Sequence, residues 1–196
     1  MLKKITSLYL LLLAVLTVSG CGINNIPTYD EAVTAAWSQV QNQYKRRADL
    51  VPNLVNTVKG YAAHEEKVLN DVVEARSKVS QIQLPSDVLN NPEAFRAYQQ
   101  NQDALTAALS RLLVVVERYP DLKASQNFLA LQSQLEGTEN RISVARRDYI
   151  TAVQRYNTEL RTIPGRWWKA LLYPESELKE NFTTTPEVKQ APEVNF

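Results

Sequence analysis

The chain of 196 residues contains one cysteine, one histidine and five glycines. A single cysteine excludes a disulfide framework. Cys21 and His64 alone cannot make a Cys/His zinc site, and they leave imidazole-based acid–base chemistry nothing but His64 to work with. A dominant sign of charge is also missing. Lys and Arg number 22 against 21 Asp and Glu, for a net charge of +1. The electrostatic footprint that nucleic acid requires is therefore absent, and nucleic acid is not an expected partner. Strand signals are missing too, with no sustained alternation of period two and no Asn-Gly or Asp-Gly turn. What remains is a chain that is 44% hydrophobic and 22% charged. That composition is globular, and the length suits one domain with a sizeable core.

The N-terminus reads as an address. Lys3 and Lys4 precede a mainly apolar run from Ile5 to Val18, 14 residues long. A membrane-spanning helix needs about 20 such residues, whereas a signal-peptide core needs fewer. The run ends in Val18-Ser19-Gly20-Cys21, which resembles the lipobox of bacterial lipoproteins. That resemblance implies cleavage before Cys21, with Cys21 lipidated. Each buried methylene contributes about 0.8 kcal/mol, so two or more acyl chains hold a protein at a bilayer without a spanning helix. Cleavage removes Lys3 and Lys4 and no acid, leaving a net charge of −1. Gly22 is not the aspartate associated with inner-membrane retention, so in a cell with two membranes the outer one, on its periplasmic face, is the expected site. Residues 1–20 are the leader and 21–27 a lipidated linker.

From Thr28 to Ile163 the apolar period is helical. Thr28 and Glu31 have capping-box spacing. Val33, Trp37, Val40, Tyr44, Val51, Leu54, Val58 and Tyr61 then form a seam interrupted by Arg47, which Val68, Val72, Ala75 and Val79 continue. One turn must fall in this stretch. Either Asp49-Leu50-Val51-Pro52 opens a new helix, or the helix runs on through Pro52 and turns at Gly60 to Glu65. A mid-helix proline costs about 3 kcal/mol, but the unbroken seam leans toward the later turn. Leu84 to Pro92 reads as a loop, with Asn91 capping a helix whose first residue is Pro92. Tyr119-Pro120-Asp121 breaks that helix. The last helix runs for about 35 residues along Phe128, Leu131, Leu135, Ile142, Ala145, Tyr149, Ala152, Tyr156 and Leu160, with Thr138 the one interruption. The expected fold is all-α: an elongated, antiparallel, up-and-down bundle of four helices over 28–163, then a C-terminal arm and extended tail over 164–196. The tail either folds back or projects as an arm, with Phe182, Val194 and Phe196 its only anchors.

Lys45-Arg46-Arg47-Ala48-Asp49-Leu50-Val51-Pro52-Asn53-Leu54-Val55, Glu74-Ala75-Arg76, Tyr119-Pro120-Asp121-Leu122-Lys123-Ala124, Glu139-Asn140-Arg141-Ile142 and Tyr156-Asn157 together resemble the LemA family, from about residue 28 onward. The resemblance implies a helical ectodomain held at a bacterial membrane, with no established biochemical activity. Many members carry an N-terminal transmembrane helix where this chain has a lipobox.

In the expected topology both ends of the bundle domain lie at its base. Arg166, Trp167, Trp168, Lys169 and Tyr173 then sit near lipid, and either face it, as amphipathic rings and cations do at an interface, or pack on the bundle. The far tip carries Tyr119 and Asp121, together with either Arg46, Arg47 and Asp49 or His64 and Glu65. These are candidates for a partner surface, or else caps and solvated charges. Some of Glu74, Arg76, Glu139, Asn140, Arg141, Arg146 and Arg147 are expected to form interhelical ion pairs that fix register, the alternative being a substrate groove. Nothing calls for a cofactor or metal, and no catalytic set is apparent. The function expected is that of a membrane-anchored, non-enzymatic scaffold binding an unidentified envelope protein. The alternative is an accessory subunit of an envelope protease or hydrolase. The sequence leaves the oligomeric state open.

Overall fold

A computed structural model describes residues 22–82 and 85–183. Cys21, the leader, Val194 and Phe196 lie outside them. The described residues are all-helical, with six helices where four were expected: α1 (Asn25–Lys59), α2 (Glu66–Gln81), α3 (Pro92–Val116), α4 (Pro120–Lys123), α5 (Gln126–Arg161) and α6 (Gly165–Leu172). The two additions are short. α4 is a single turn after the Tyr119-Pro120 break, and α6 is the Trp-rich segment after α5.

α1 begins at Asn25, three residues before the capping box expected at Thr28, and runs unbroken through Pro52. The turn therefore lies at Gly60 to Glu65, as the continuous seam suggested. Proline has no N–H, so the carbonyl four residues earlier loses its helical donor. That carbonyl belongs to Ala48, and the Arg76 side chain of α2 supplies the missing bond, Nε donating to Ala48 O at 2.9 Å. The defect in one helix is thus the docking point of the next. α3 starts as expected, the Asn91 side chain accepting from the N–H groups of Glu93 and Ala94 at 3.1 Å each.

α1 and α5 are antiparallel partners along their length. Asn25 Nδ2 donates to Glu159, Arg141 Nε to Gln43, and Arg47 pairs with Glu139. α3 runs in the direction of α1, since Arg47 meets Gln102 and Thr106 while Trp37 meets Phe95 and Tyr98. α2 has 16 residues, about 24 Å, against about 52 Å for the 35 residues of α1. It therefore covers only the distal half of the body.

The interior divides accordingly. A distal apolar cluster gathers Val51, Leu54, Val58, Val72, Leu105, Leu112, Leu122 and Phe128. A proximal one, rich in aromatics, gathers Ile26, Trp37, Tyr44, Phe95, Tyr98, Tyr149 and Tyr156. Where α2 is absent, the loop after it contributes Val88 and Leu89 to the proximal cluster. The segment after α6 folds back across α5 and α3 as far as Thr183, with Phe182 packed against the same cluster. The tail, for its described part, is therefore a strap and not a projecting arm.

Candidate functional site: the two ends and the polar layer between them

At the proximal end, Gly22 adopts φ +87°, a left-handed conformation that side chains disfavour. Its carbonyl accepts from Asn25 N at 3.1 Å, and Asn25 reaches Glu159 near the end of α5. The start of α1, the end of α5 and α6 thus converge. Gly165 is buried here because a Cβ would lie 2.2 Å from the Glu159 carbonyl oxygen, so α6 is pressed directly against the last turn of α5. The tryptophan pair divides. Trp168 packs on the proximal cluster with Tyr173, whereas Trp167 is 59% exposed beside Ile163 and Leu171, at 64% and 73%. Arg166 is exposed and Lys169 half-buried. Leu160, Ile163, Arg166, Trp167 and Lys169 line an open depression of about 590 Å³.

At the distal end, the Gly60–Glu65 turn is joined to the α3–α4 turn. Glu65 accepts from Arg118 Nη2 at 2.8 Å and from the Tyr119 hydroxyl at 3.1 Å. That hydrogen bond, with some desolvation, raises the Tyr119 pKa above its ordinary value. Glu65 and Tyr119 are therefore committed to holding the tip together. His64 and Asp121 are exposed. Asp121 lies in the first turn of α4 without capping it.

Arg46, Arg47 and Asp49 are not at the tip, because α1 continues past them. Arg46 and Asp49 are exposed on its flank, and Asp49 is mid-helix and caps nothing. Arg47 is neither solvated nor a surface residue: it is 1% exposed, at the boundary of the two apolar clusters. Its Nη1 donates to Thr106 Oγ1 at 2.7 Å and Glu139 at 3.2 Å. Its Nη2 donates to the Gln102 carbonyl at 3.0 Å and the Gln102 side chain at 2.7 Å. The guanidinium also lies over Tyr44, 5.0 Å from the ring centroid. Thr138, fully buried, satisfies its hydroxyl on the Gln134 carbonyl at 2.7 Å. Of the two polar interruptions of the helical seams, Arg47 is thus satisfied across helices and Thr138 within its own. Buried Gln102 completes the Arg47 layer from the inward stripe of α3, between Tyr98 and Leu105.

Of the other register candidates, Arg76 and Arg141 do bridge helices. Among the described residues Glu74 pairs only with Lys78 of its own helix, Arg147 only with neighbouring Asp148, and Asn140 is exposed. Arg146 lies over the Phe182 ring at 4.3 Å. Among the described residues no three His, Cys, Asp or Glu side chains converge as metal ligands would, and no helix is long and apolar enough to cross a membrane.

Comparison with known proteins agrees with the sequence motifs. Magnetosome protein MamQ 2 of Paramagnetospirillum magneticum is 25% identical over 160 residues, covering 74% of this chain and 59% of the relative. Protein LemA of Metamycoplasma hominis is 25% identical over 139 residues, covering 71% and 59%. Magnetosome protein MamQ of Magnetospirillum gryphiswaldense is 23% identical over 169 residues, covering 78% and 62%. The chain thus spans about three-fifths of the length of these curated relatives. The LemA family as a whole matches residues 36–196, a span that takes in the Arg47 layer, the Pro52–Arg76 joint and the strap: the chain belongs to the LemA family.

Proposed function

We propose that this chain is a non-enzymatic helical module of the bacterial envelope. Its four long helices run up and down, it is anchored through lipid on Cys21 at its proximal end, and it presents surfaces to a protein partner. The observation that carries the reading is the convergence at that end. Gly22, the residue after Cys21, lies near Glu159 at the close of α5, against which Gly165 at the start of α6 also packs, and α6 carries the exposed Trp167 and Leu171. Lipid at residue 21 and an apolar, Trp-bearing, cation-flanked face would then meet the same bilayer. The interior supports a scaffold role. The Arg47 guanidinium spends its Nη1 and Nη2 donors on Thr106, Glu139 and Gln102 of the neighbouring helices.

The anchor is tested in cells. Wild type is expected to take up labelled palmitate and to sediment with membranes, and Cys21→Ala to do neither. Undiminished membrane association of an unlabelled Cys21→Ala chain would sink the reading. The α6 face is tested separately with a Cys21→Ser chain and lipid vesicles carrying brominated acyl chains. Quenching is expected from Trp167 and is lost in Trp167→Phe, while Trp37, 5% exposed in the core, stays unquenched in both.

A further inference from the structure

The strap is held through its main chain. Two side-chain amides on two different helices each grip both main-chain groups of one strap residue. Asn157 of α5 donates Nδ2–H to the Lys179 carbonyl and accepts the Lys179 N–H through Oδ1, at 2.9 Å each. Gln99 of α3 does the same for Thr183, Nε2 donating to its carbonyl at 2.6 Å and Oε1 accepting its N–H at 3.4 Å. Between these clamps the main chain of Glu180 is also satisfied from outside the strap. Its carbonyl accepts from the Tyr149 hydroxyl at 2.7 Å, and its N–H donates to the Leu89 carbonyl at 2.6 Å. This is how an extended peptide is read without reference to its sequence, the body supplying the hydrogen bonds that a neighbouring strand would otherwise give.

Selectivity comes from two further places. Lys179 Nζ lies 2.9 Å from Asp30 Oδ1 and 5.4 Å from the Tyr156 ring centroid. The Phe182 ring sits 5.1 Å from Phe95 and 5.5 Å from Tyr149, roofed by Arg146. One place favours a cation and the other an aromatic ring, three residues apart.

We infer that the face formed by α3, α5, Leu89 and, through Asp30, the start of α1 is a binding groove for an extended peptide of the form Lys-x-x-Phe, and that the chain's own residues 177–183 occupy it as a built-in competitor. The occupant in trans is a segment of a partner protein with that cation-to-aromatic spacing. The clamps touch only main-chain atoms, so they hold any extended segment whose two side chains fit. The inference deepens the reading of the chain as a partner-binding module. It is tested in solution, so failure of the lipid anchor leaves it untouched.

The test uses the full chain with Cys21→Ser and a fluorescent peptide of residues 175–184, read by anisotropy. With Lys179→Ala and Phe182→Ala in the chain, its own strap is weakened and saturable binding is expected. Replacing either Lys179 or Phe182 by Ala in the peptide, or adding Asn157→Ala to the body, is expected to weaken binding about tenfold or more. The chain with an intact strap is expected to bind about a hundredfold more weakly, because a tethered competitor acts at roughly millimolar effective concentration. If the double variant does not fold, a protease site inserted after Pro174 opens the strap instead, and the severed segment is expected to exchange with labelled peptide. No binding to the opened chain, binding indifferent to Lys179, Phe182 and Asn157, or a cut chain that exchanges nothing over a day overturns the proposal. So does strap-mediated pairing of two chains that excess peptide does not dissolve.

Discussion

Arg47 shows how one residue can be present in a motif and yet be misplaced by it. In sequence it stands among Lys45, Arg46 and Asp49, all charged, and the run reads as a solvated surface. Arg46 and Asp49 are indeed exposed. Arg47 alone turns inward, because it occupies a position of the α1 seam where an apolar residue belongs. Once buried, a guanidinium must find acceptors, and Gln102, Thr106 and Glu139 provide them. Arg47→Ala removes those bonds and leaves both a void and an unpaired Gln102. A loss of about 3 kcal/mol is expected in urea unfolding, against under about 0.5 for Arg46→Ala. The interruption at 47 was legible, and so in principle was its partner: Gln102 falls four residues after Tyr98 and three before Leu105, in the inward phase of α3, and only its amide side chain disguises it as a surface residue. The aromatic interior makes a second expectation at this scale. Burial raises the pKa values of Tyr98 and Tyr149 well above the usual 10.0, and those of Tyr44 and Tyr156 also upward. These phenols stay protonated in the folded state when the unfolded chain has begun to ionise them. The stability they confer is therefore complete below about pH 10 and is lost as pH rises above it. Urea midpoints from pH 8 to 11 are expected to fall more steeply for wild type than for Tyr98→Phe.

Among the elements, the long helices were readable because their apolar stripes persist over many turns. The choice at Pro52 was harder, since local chemistry and the long-range seam disagree there. The seam prevails because Arg76 replaces the hydrogen bond that proline removes. This makes a double-mutant cycle informative. Arg76→Met alone leaves the Ala48 carbonyl without a donor, and a cost of about 1–3 kcal/mol is expected. In a Pro52→Ala background residue 52 regains its N–H, and Arg76→Met is expected to cost at least 1 kcal/mol less. Equal costs in the two backgrounds would show the joint to be incidental. Gly137 makes a simpler case. It lies inside α5, and an added Cβ would meet only the Arg141 guanidinium at 3.6 Å. Gly137→Ala is expected to stabilise by about 0.5–1 kcal/mol. α4 and α6 were not foreseen, being too short for a period to establish itself. α6 had a signal nonetheless, in Gly165 after Pro164 and the inward spacing from Trp168.

For the whole molecule, the polar layer makes two interiors out of one body, and α2 seals only the distal one. The proximal interior depends on the strap, which sequence periodicity could not reveal because its contacts run through main-chain atoms to Gln99, Tyr149 and Asn157. Phe182→Ala is expected to speed amide hydrogen exchange around Trp37 and Tyr149 while leaving the protection of Leu54, Val72 and Leu112 unchanged. Uniform acceleration would show that the halves are one cooperative unit. The arrangement also bears on the order in which the chain is finished. Among the described residues the distal cluster draws on nothing beyond Leu135, so it can close while synthesis is still under way. The proximal half is roofed in two later stages, by Tyr149 of α5 against Trp37 and Phe95 and only then by Phe182, almost fifty residues after Leu135. Until that last ring arrives, a chaperone or an export factor has its opportunity to hold the open face.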